Sequence, residues 1–190
     1  LGGATVVERA ISVASESTDA VVVVLPRDTD WLPRPPARAA TGGETRSASV
    51  RAGLAEVPED AEIIVVHDAA RPLASRALFA AVIEAVQAGA DGAIPVLPMA
   101  DTVKRVDGHV VVATVPRDDL VTVQTPQAFR ADVLREAHTS SSVGTDDAAL
   151  VEAMGAKVVV VPGDPRNLKL TVAFDLEFVR ALLDDGSVAR

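Results

Sequence analysis

Apolar positions along the chain follow two periods in turn. Runs dominated by apolar residues, typical of buried strands, occur at 19–25, 63–66, 92–97 and 157–161. Between them, apolar residues recur every three or four positions, which is the spacing of one helix face. This alternation predicts a three-layer α/β/α domain. The proline-rich segment 27–41 keeps neither period and is predicted to be a surface loop.

Capping residues mark the helix boundaries. Thr5 and Glu8 have the spacing of a capping box, which predicts a first helix to about Ser15. Ser75 precedes a second amphipathic helix, and Gly89 closes it. Further helices are predicted after the glycine-rich turn at 42–49, at 130–138, from Thr145-Asp146-Asp147 to Gly155, and at 174–183.

The segment from Thr102 to Thr114 interrupts this alternation. Two apolar runs flank Asp107-Gly108, which is a strong signal for a β-hairpin with a two-residue turn. A hairpin inserted in an α/β domain has apolar residues that need cover. We therefore expect this arm, at about 102–120, to pack against a partner chain.

The run Ile63-Ile64-Val65-Val66 ends abruptly in His67-Asp68-Ala69-Ala70-Arg71-Pro72. We interpret it as a central parallel strand that delivers a site, because open α/β sheets bind ligands beyond the carboxyl ends of such strands. Asp68 and Arg71 stand at that end, with two small alanines between them. The alternative is a surface ion pair after an ordinary strand.

A second candidate feature is the turn Gly42-Gly43-Glu44-Thr45, which opens onto a helix. Free amides at such a helix start could hold a phosphate or a base. The alternative is a plain loop with a helix cap.

Charge and composition narrow the range of partners. A net charge of -9 argues against a nucleic-acid surface or an anionic membrane. A small anionic ligand needs only a few local cations, and the lysines are Lys104, Lys157 and Lys169. Apolar stretches are too short for a membrane span, and the absence of cysteine gives no sign of secretion, so we expect a cytoplasmic protein.

The length of 190 residues fits one domain, which we place at 1–183, followed by a disordered tail at 184–190. The sequence starts at Leu1 without an initiator methionine and without a strand before the first helix. We therefore expect further residues upstream.

Six motifs occur in order: Gly42-Gly43-Glu44-Thr45-Arg46-x-x-Ser49, Val66 to Pro72, Asp101-Thr102-Val103-Lys104, Thr125-Pro126-Gln127-x-Phe129, Thr145-Asp146-Asp147 and Asn167-Leu168-Lys169. With the hairpin between them, they resemble the bacterial 2-C-methyl-D-erythritol 4-phosphate cytidylyltransferases of isoprenoid precursor synthesis. The likeness runs from Leu1 to about Leu183. It implies a Rossmann-like nucleotidyltransferase fold and a homodimer joined by exchanged hairpin arms.

The resemblance implies a nucleotide site. Gly43, Glu44 and Ser49 would hold the cytosine of CTP, and Asp68 and Ala69 would lie near the ribose and the metal-bound phosphates. The implied cofactor is Mg²⁺, held mainly by phosphates and water near Asp68. The histidines His67, His109 and His138 lack the spacing of metal ligands, and we expect His67 to be a packing or supporting residue.

It also implies a site for the second substrate. The residues that would fix the methylerythritol phosphate are Arg71, Thr102, Thr125 and Thr145, with Arg117 supplied by the other subunit. Lys169 would meet the α-phosphate, so the catalytic candidates are Lys169, Arg117 and Asp68.

Two departures from the family pattern stand out. At the position of Glu44 the family often has a different residue such as aspartate, so the longer side chain shifts the expected contacts near the base. The family also carries a glycine-rich loop with an arginine and a lysine around the triphosphate, and this sequence starts after the position of that loop.

The implied reaction is attack by the sugar-phosphate oxygen on the α-phosphorus of CTP, with pyrophosphate leaving. No general base is required, because a phosphate is already ionised at neutral pH. Two alternatives stay open: a cytidylyltransferase for another polyol phosphate such as ribitol 5-phosphate, and a non-catalytic α/β dimer that binds a nucleotide.

Overall fold

The computed structural model describes residues 1, 3–139 and 146–184 of the chain. Its helices are α1 (Val6–Ser15), α2 (Arg46–Leu54), α3 (Arg76–Gln87), α4 (Ala131–Ala137), α5 (Asp147–Ala153) and α6 (Ala173–Asp184). Its strands are β1 (Val22–Leu25), β2 (Arg38–Thr41), β3 (Ile63–Val66), β4 (Gly92–Pro98), β5 (Val103–Asp107), β6 (Val110–Val115), β7 (Val121–Val123), β8 (Gln127–Arg130) and β9 (Val158–Pro162).

The main sheet is mixed and has five strands, with the path β3-β8-β4-β7 and with β9 beside β4. β8 is antiparallel to both β3 and β4, whereas β9 is parallel to β4. The carboxyl ends of β3, β4 and β9 therefore point toward the same edge of the sheet. Loops that follow these strands meet at that edge.

Alternate residues of the sheet pack against helices on opposite faces, as the side-chain period of a strand requires. Ile64, Ile94 and Phe129 form one core with α4 and α5. Ala93 and Ala128 form the other core with Val82 and Val86 of α3. These two cores confirm the predicted three-layer arrangement.

The hairpin prediction is also confirmed. β5 and β6 pair antiparallel on either side of Asp107-Gly108, with an irregularity at Arg105 and Val106. This arm forms a two-stranded sheet of its own. Its apolar side chains are largely bare, since Val110 is 66% exposed and Val111 is 58% exposed.

Two predictions about the sheet were wrong. Part of the expected surface loop is strand β2, which pairs parallel with β1 although Arg-Ala-Ala-Thr has no strand period. β3 is not a central parallel strand: it pairs antiparallel with β8 and ends the strand path in the described part of the chain.

Helix starts follow the predicted caps. Thr5 and Glu8 form the capping box of α1, and the Ser75 hydroxyl accepts a hydrogen bond from the backbone of Leu78 at the start of α3. Among the helices of the described residues, none combines the length and apolar character that a membrane crossing requires. Thr145 and the predicted tail beyond 184 lie outside the described residues.

Candidate active site

The carboxyl edge of β3 is built from three loops that bond to one another. The backbone amide of Leu170 donates to the carbonyl of Ala70 at 2.8 Å, which joins the loop after β9 to the loop after β3. The side-chain amide of Asn167 donates to the carbonyl of Thr125 at 2.8 Å, which joins the loop after β9 to the segment between β7 and β8. Asn167 is fully buried, so this edge is held by interior contacts.

Two cations converge on the carboxylate of Asp68 at this edge. Lys169 Nζ lies 2.8 Å from Asp68 Oδ2, and Arg71 Nε lies 4.0 Å from the same oxygen. Arg71 also donates from Nη1 to the carbonyl of Asn167 at 2.7 Å. One carboxylate facing two cations leaves a local excess of positive charge, which suits a phosphate ligand.

Burial distinguishes the two cations. Desolvation lowers the pKa of Arg71, and the charge of Asp68 opposes that shift; the guanidinium stays protonated in either case. The Lys169 side chain is 47% exposed and extends toward solvent. Arg71 is therefore a fixed cation within the wall, whereas Lys169 can turn from Asp68 toward an incoming anion.

His67 and Thr125 lie beneath this cluster. The Thr125 hydroxyl is 3.0 Å from His67 Nδ1 and accepts a hydrogen bond from the backbone amide of Asp68 at 3.0 Å. His67 Nε2 is 3.3 Å from the carbonyl oxygen of Arg71. Burial lowers the pKa of His67 to about 4, and its ring packs 5.3 Å from that of Phe79.

A cleft of about 400 Å³ opens beside the glycine-rich turn. Gly43, Glu44 and Ser49 line it together with residues at the end of β1, including Arg27. A Cβ atom at Gly43 would come within 2.5 Å of the Ala48 side chain, so the turn has no room for one. The Gly43 amide donates a hydrogen bond to the Ser49 hydroxyl at 3.2 Å, which holds the turn against α2 beside the cleft.

An ion pair between the exposed Arg46 and the buried Asp147 connects this turn to the start of α5. Arg46 Nη2 lies 2.6 Å from Asp147 Oδ2, and His138 Nε2 lies 2.9 Å from Asp147 Oδ1. Burial alone would lower the pKa of Arg46, but the bond and charge of Asp147, with the charges of Asp68 and Asp146, raise it. Arg46 is thus within electrostatic range of both Asp68 and Asp146.

Sequence reasoning had given Arg46 and Asp147 no role. Both stand inside the sequence motifs, and that was the only signal of a role. Their contact could not be predicted, because 101 positions separate them along the chain. Sequence reasoning also gave no role to Gln124 and Asn167, whose buried amides bond across the site over 43 positions of the chain.

The structure gathers part of the predicted site. Asp68, Arg71, Thr125 and Lys169 lie in one cluster, with Ala69 on the exposed turn that the Arg71 amide closes onto the Asp68 carbonyl at 2.9 Å. Two further candidates lie at the hairpin: Thr102 is exposed before β5, and exposed Arg117 donates to the carbonyl of Ala100.

The described residues contain no group of three or more His, Cys, Asp or Glu side chains that could hold a metal by themselves. Asp68 supplies one carboxylate beside the cations Arg71 and Lys169. Mg²⁺ commonly binds through one or two carboxylates plus substrate phosphates and water, so these residues fit a metal that arrives with a nucleotide.

Comparison with known proteins gives one family. Residues 1–185 match the family described as IspD: 2-C-methyl-D-erythritol 4-phosphate cytidylyltransferase. A protein of that name from Rhodococcus jostii strain RHA1 is 42% identical over 195 aligned positions, covering 98% of this chain and 86% of that protein.

Solved structures agree. The crystal structure of 2-C-methyl-D-erythritol 4-phosphate cytidylyltransferase from Thermus thermophilus is similar with a TM-score of 0.86 and 37% identity, covering 96% of this chain and 90% of that one. The Francisella tularensis protein of the same name gives a TM-score of 0.83 at 27% identity, over 94% and 88% of the two chains. The Rossmann-like nucleotidyltransferase fold that the sequence predicted is thereby confirmed.

The Arg46–Asp147 pair yields a stability prediction. We expect Asp147→Asn to lower the free energy of unfolding by about 2 kcal/mol, because the neutral amide loses the charge-assisted hydrogen bonds that the buried carboxylate accepts from Arg46 and His138. The pKa of Asp147 is lowered in the folded chain, since the bonds from His138 and Arg46 outweigh the effect of burial. Its stabilisation is therefore complete above the ordinary value of 3.8 and is lost as the pH falls through the folded pKa.

Urea unfolding of the parent and the variant checks this prediction at pH 7 and at lower pH. Asp132→Asn is the matched control, because Asp132 also pairs with an arginine, Arg130, at 2.7 Å but on the surface. We expect little change in the control. Equal losses for Asp147→Asn and Asp132→Asn would contradict a structural role for the Arg46–Asp147 pair.

Proposed function

The chain belongs to the 2-C-methyl-D-erythritol 4-phosphate cytidylyltransferase family, and we propose that the cleft and the Asp68 cluster hold its two substrates side by side. It is a nucleotidyltransferase that transfers CMP from CTP to 2-C-methyl-D-erythritol 4-phosphate in isoprenoid biosynthesis. The observation that carries the proposed arrangement is the convergence of Lys169 and Arg71 on Asp68, within electrostatic range of Arg46 in the glycine-rich turn.

CTP binds in the cleft beside the glycine-rich turn. Its cytosine lies against Gly43, Glu44 and Ser49, which line the cleft with polar groups of the turn. Its ribose and phosphates then reach the turn of Asp68 and Ala69. Asp68 would hold a Mg²⁺ ion that is bound to the triphosphate, and the metal would neutralise phosphate charge there.

The methylerythritol phosphate takes the other side of the cluster. Arg71 is preordered for a phosphate by its bond to Asn167 and its partial burial. Thr125 lies beneath, Thr102 precedes the hairpin, and Thr145 comes shortly before α5 in the sequence. Arg117 closes the site from the partner subunit.

The reaction joins the sugar-phosphate oxygen to the α-phosphorus of CTP and breaks the bond between the α- and β-phosphates, releasing pyrophosphate. The nucleophile is already ionised, so the residues align two polyanions and neutralise charge in the transition state. Lys169 suits that task because its side chain is 47% exposed and is free to turn from Asp68 toward the α-phosphate.

A second copy of the chain covers the hairpin. Val110, Val111 and Val112 of β6 are more than half exposed, and pairing two arms about a two-fold axis buries them. That symmetry carries each Arg117 toward the neighbouring site, and its side chain must then leave the carbonyl of Ala100. We place the activity in the cytoplasm, where CTP is available.

Turnover separates this function from its rivals. With CTP and Mg²⁺, we expect pyrophosphate release that depends on 2-C-methyl-D-erythritol 4-phosphate and is at least tenfold slower with ribitol 5-phosphate, because a site that hydrogen-bonds one polyol discriminates against a polyol whose hydroxyls do not match. Preference for ribitol 5-phosphate would overturn the substrate assignment. Binding of CTP with no turnover on either polyol phosphate would favour a binding module.

Lys169→Ala tests the assigned role of the lysine. We expect kcat to fall by about 10²- to 10³-fold with a much smaller change in CTP affinity, because a cation at the reacting phosphate acts mainly on transition-state charge. The matched control is Lys157→Ala, since Lys157 is an exposed lysine just before β9, at the opposite edge of the sheet. Kinetics of Lys169→Ala within a few-fold of the parent would remove Lys169 from the mechanism.

Subunit mixing tests whether Arg117 acts on the neighbouring site. Arg117→Ala and Lys169→Ala are each expected to be inactive, but in a mixed dimer one site has an intact lysine and the partner's intact arginine. Equal mixing should therefore restore about a quarter of the parent activity, as half the dimers are mixed and half their sites are complete. Proven subunit exchange without recovery would place Arg117 in its own chain's site.

A further inference from the structure

For a neutral imidazole, the hydrogen bonds around His67 have one consistent set of directions. The carbonyl oxygen of Arg71 can only accept, so His67 Nε2, 3.3 Å away, carries the ring hydrogen. A neutral imidazole has only one ring hydrogen, so Nδ1 is then an acceptor. The Thr125 hydroxyl, 3.0 Å from Nδ1, must donate to it.

The same hydroxyl accepts the backbone amide of Asp68 at 3.0 Å. A directed chain results: the Asp68 amide donates to Thr125, Thr125 donates to His67, and His67 donates to the carbonyl of Arg71. This chain touches both ends of the turn that carries the Asp68 carboxylate and the Arg71 guanidinium. The backbone bond from Arg71 to the Asp68 carbonyl, at 2.9 Å, closes the turn itself.

We propose that His67 is a positioning residue for nucleotidyl transfer, which fixes the turn of Asp68 and Arg71 by orienting the Thr125 hydroxyl and holding the Arg71 carbonyl. This inference rests on the proposed function of that turn. It also fixes the direction of the hydrogen bond from Thr125, because the single hydroxyl hydrogen is already donated to His67 Nδ1. Thr125 is 5% exposed and has no hydrogen to give to a phosphate; toward a ligand it can only accept, as from a polyol hydroxyl.

The charged groups that face His67 are Asp68, which raises its pKa, and Arg71, which lowers it; Phe79 packs against the ring. A simpler role for His67 is therefore apolar packing on Phe79. The two roles differ in what they require, since packing needs a flat ring of similar size, whereas positioning needs an acceptor at Nδ1 and a donor at Nε2.

Ring-nitrogen NMR of the full chain labelled with ¹⁵N-histidine tests the directions without any substitution. We expect the His67 signal to be that of a neutral ring with its hydrogen on Nε2 at pH 7. The ¹⁵N signal of Nδ1 should shift in Thr125→Val, because the hydroxyl that donates to its lone pair is missing. A charged ring at pH 7, or a neutral ring with its hydrogen on Nδ1, would overturn the proposal.

Kinetics of three variants separate positioning from packing. His67→Phe keeps an aromatic ring against Phe79 but removes both hydrogen bonds. His67→Asn places an oxygen acceptor on Cγ, the atom to which Nδ1 is attached in histidine. We expect His67→Phe to lower kcat/KM for the sugar phosphate by about 10- to 100-fold, mainly through KM, because small displacements of positioning groups carry large rate costs. His67→Asn should recover at least threefold of that loss.

Thr125→Val should be coupled to His67→Phe: in the Thr125→Val background the His67 change should cost at least threefold less than in the parent. Thr18→Val is the matched control for loss of a hydroxyl, because Thr18 bonds to the carbonyl of Ala14 at 2.9 Å, away from the site. Parent-like kinetics of His67→Phe, or additive effects, would overturn the proposal.

Two features keep the outcomes distinct. If His67→Phe does not fold, the proposal is still tested by His67→Asn, by Thr125→Val and by the NMR signal of the parent. If the parent fails to turn over its assigned substrates, the proposed function fails, whereas the His67 and Thr125 hydrogen-bond directions are read from the ring nitrogens regardless. Activities are compared well below each variant's unfolding temperature, so a fall in stability alone changes neither KM nor the coupling.

Discussion

The candidate site is built around the ion pairs that the Asp68 carboxylate forms with two cations. Lys169 and Arg71 both turn toward this carboxylate, one from the loop after β9 and one from the turn after β3. Without an anion, two such cations at one sheet edge would repel each other, so the carboxylate keeps the edge ordered before a ligand arrives. The Lys169 side chain is 47% exposed, so Lys169 is the cation with more freedom to turn.

Polar contacts hold the rest of the edge because its backbone cannot be covered by the apolar cores. The amides of Gln124 and Asn167 and the hydroxyl of Thr125 are buried, and each bonds to a neighbouring loop. Buried polar groups are costly unless they are paired, so these bonds define one arrangement of the three loops. This preorganisation suits a reaction whose catalysis consists of aligning two polyanions.

Two long-range links then connect the parts of the site. The buried Asp147 joins the glycine-rich turn, through Arg46, to the start of α5. The hairpin arm is the other link in the proposed dimer, since its valines are exposed and Arg117 lies just beyond it.

Local pattern was enough to predict much of the fold. Helix starts such as Thr5 and Ser75, the Asp107-Gly108 turn and the apolar strands depend on neighbours within a few positions, and the structure bears them out. The spacing of the six motifs identified the family, because residues such as Asp68 and Lys169 stand in a fixed order along the chain. These features are properties of short segments, whose periods of 2 and 3.6 residues are written directly in the sequence.

Tertiary structure decided what depends on pairing between distant segments. β2 is a strand because it lies beside β1, although Arg38 to Thr41 carries no period of its own. β3 pairs antiparallel with β8, which its apolar run could not reveal, since such a run fits either pairing. Arg46 meets Asp147 across 101 positions, and the direction of the Thr125 hydrogen bond depends on which His67 nitrogen faces the Arg71 carbonyl. Sequence determines which groups are present and where each short segment bends, but only the folded chain determines which donor faces which acceptor.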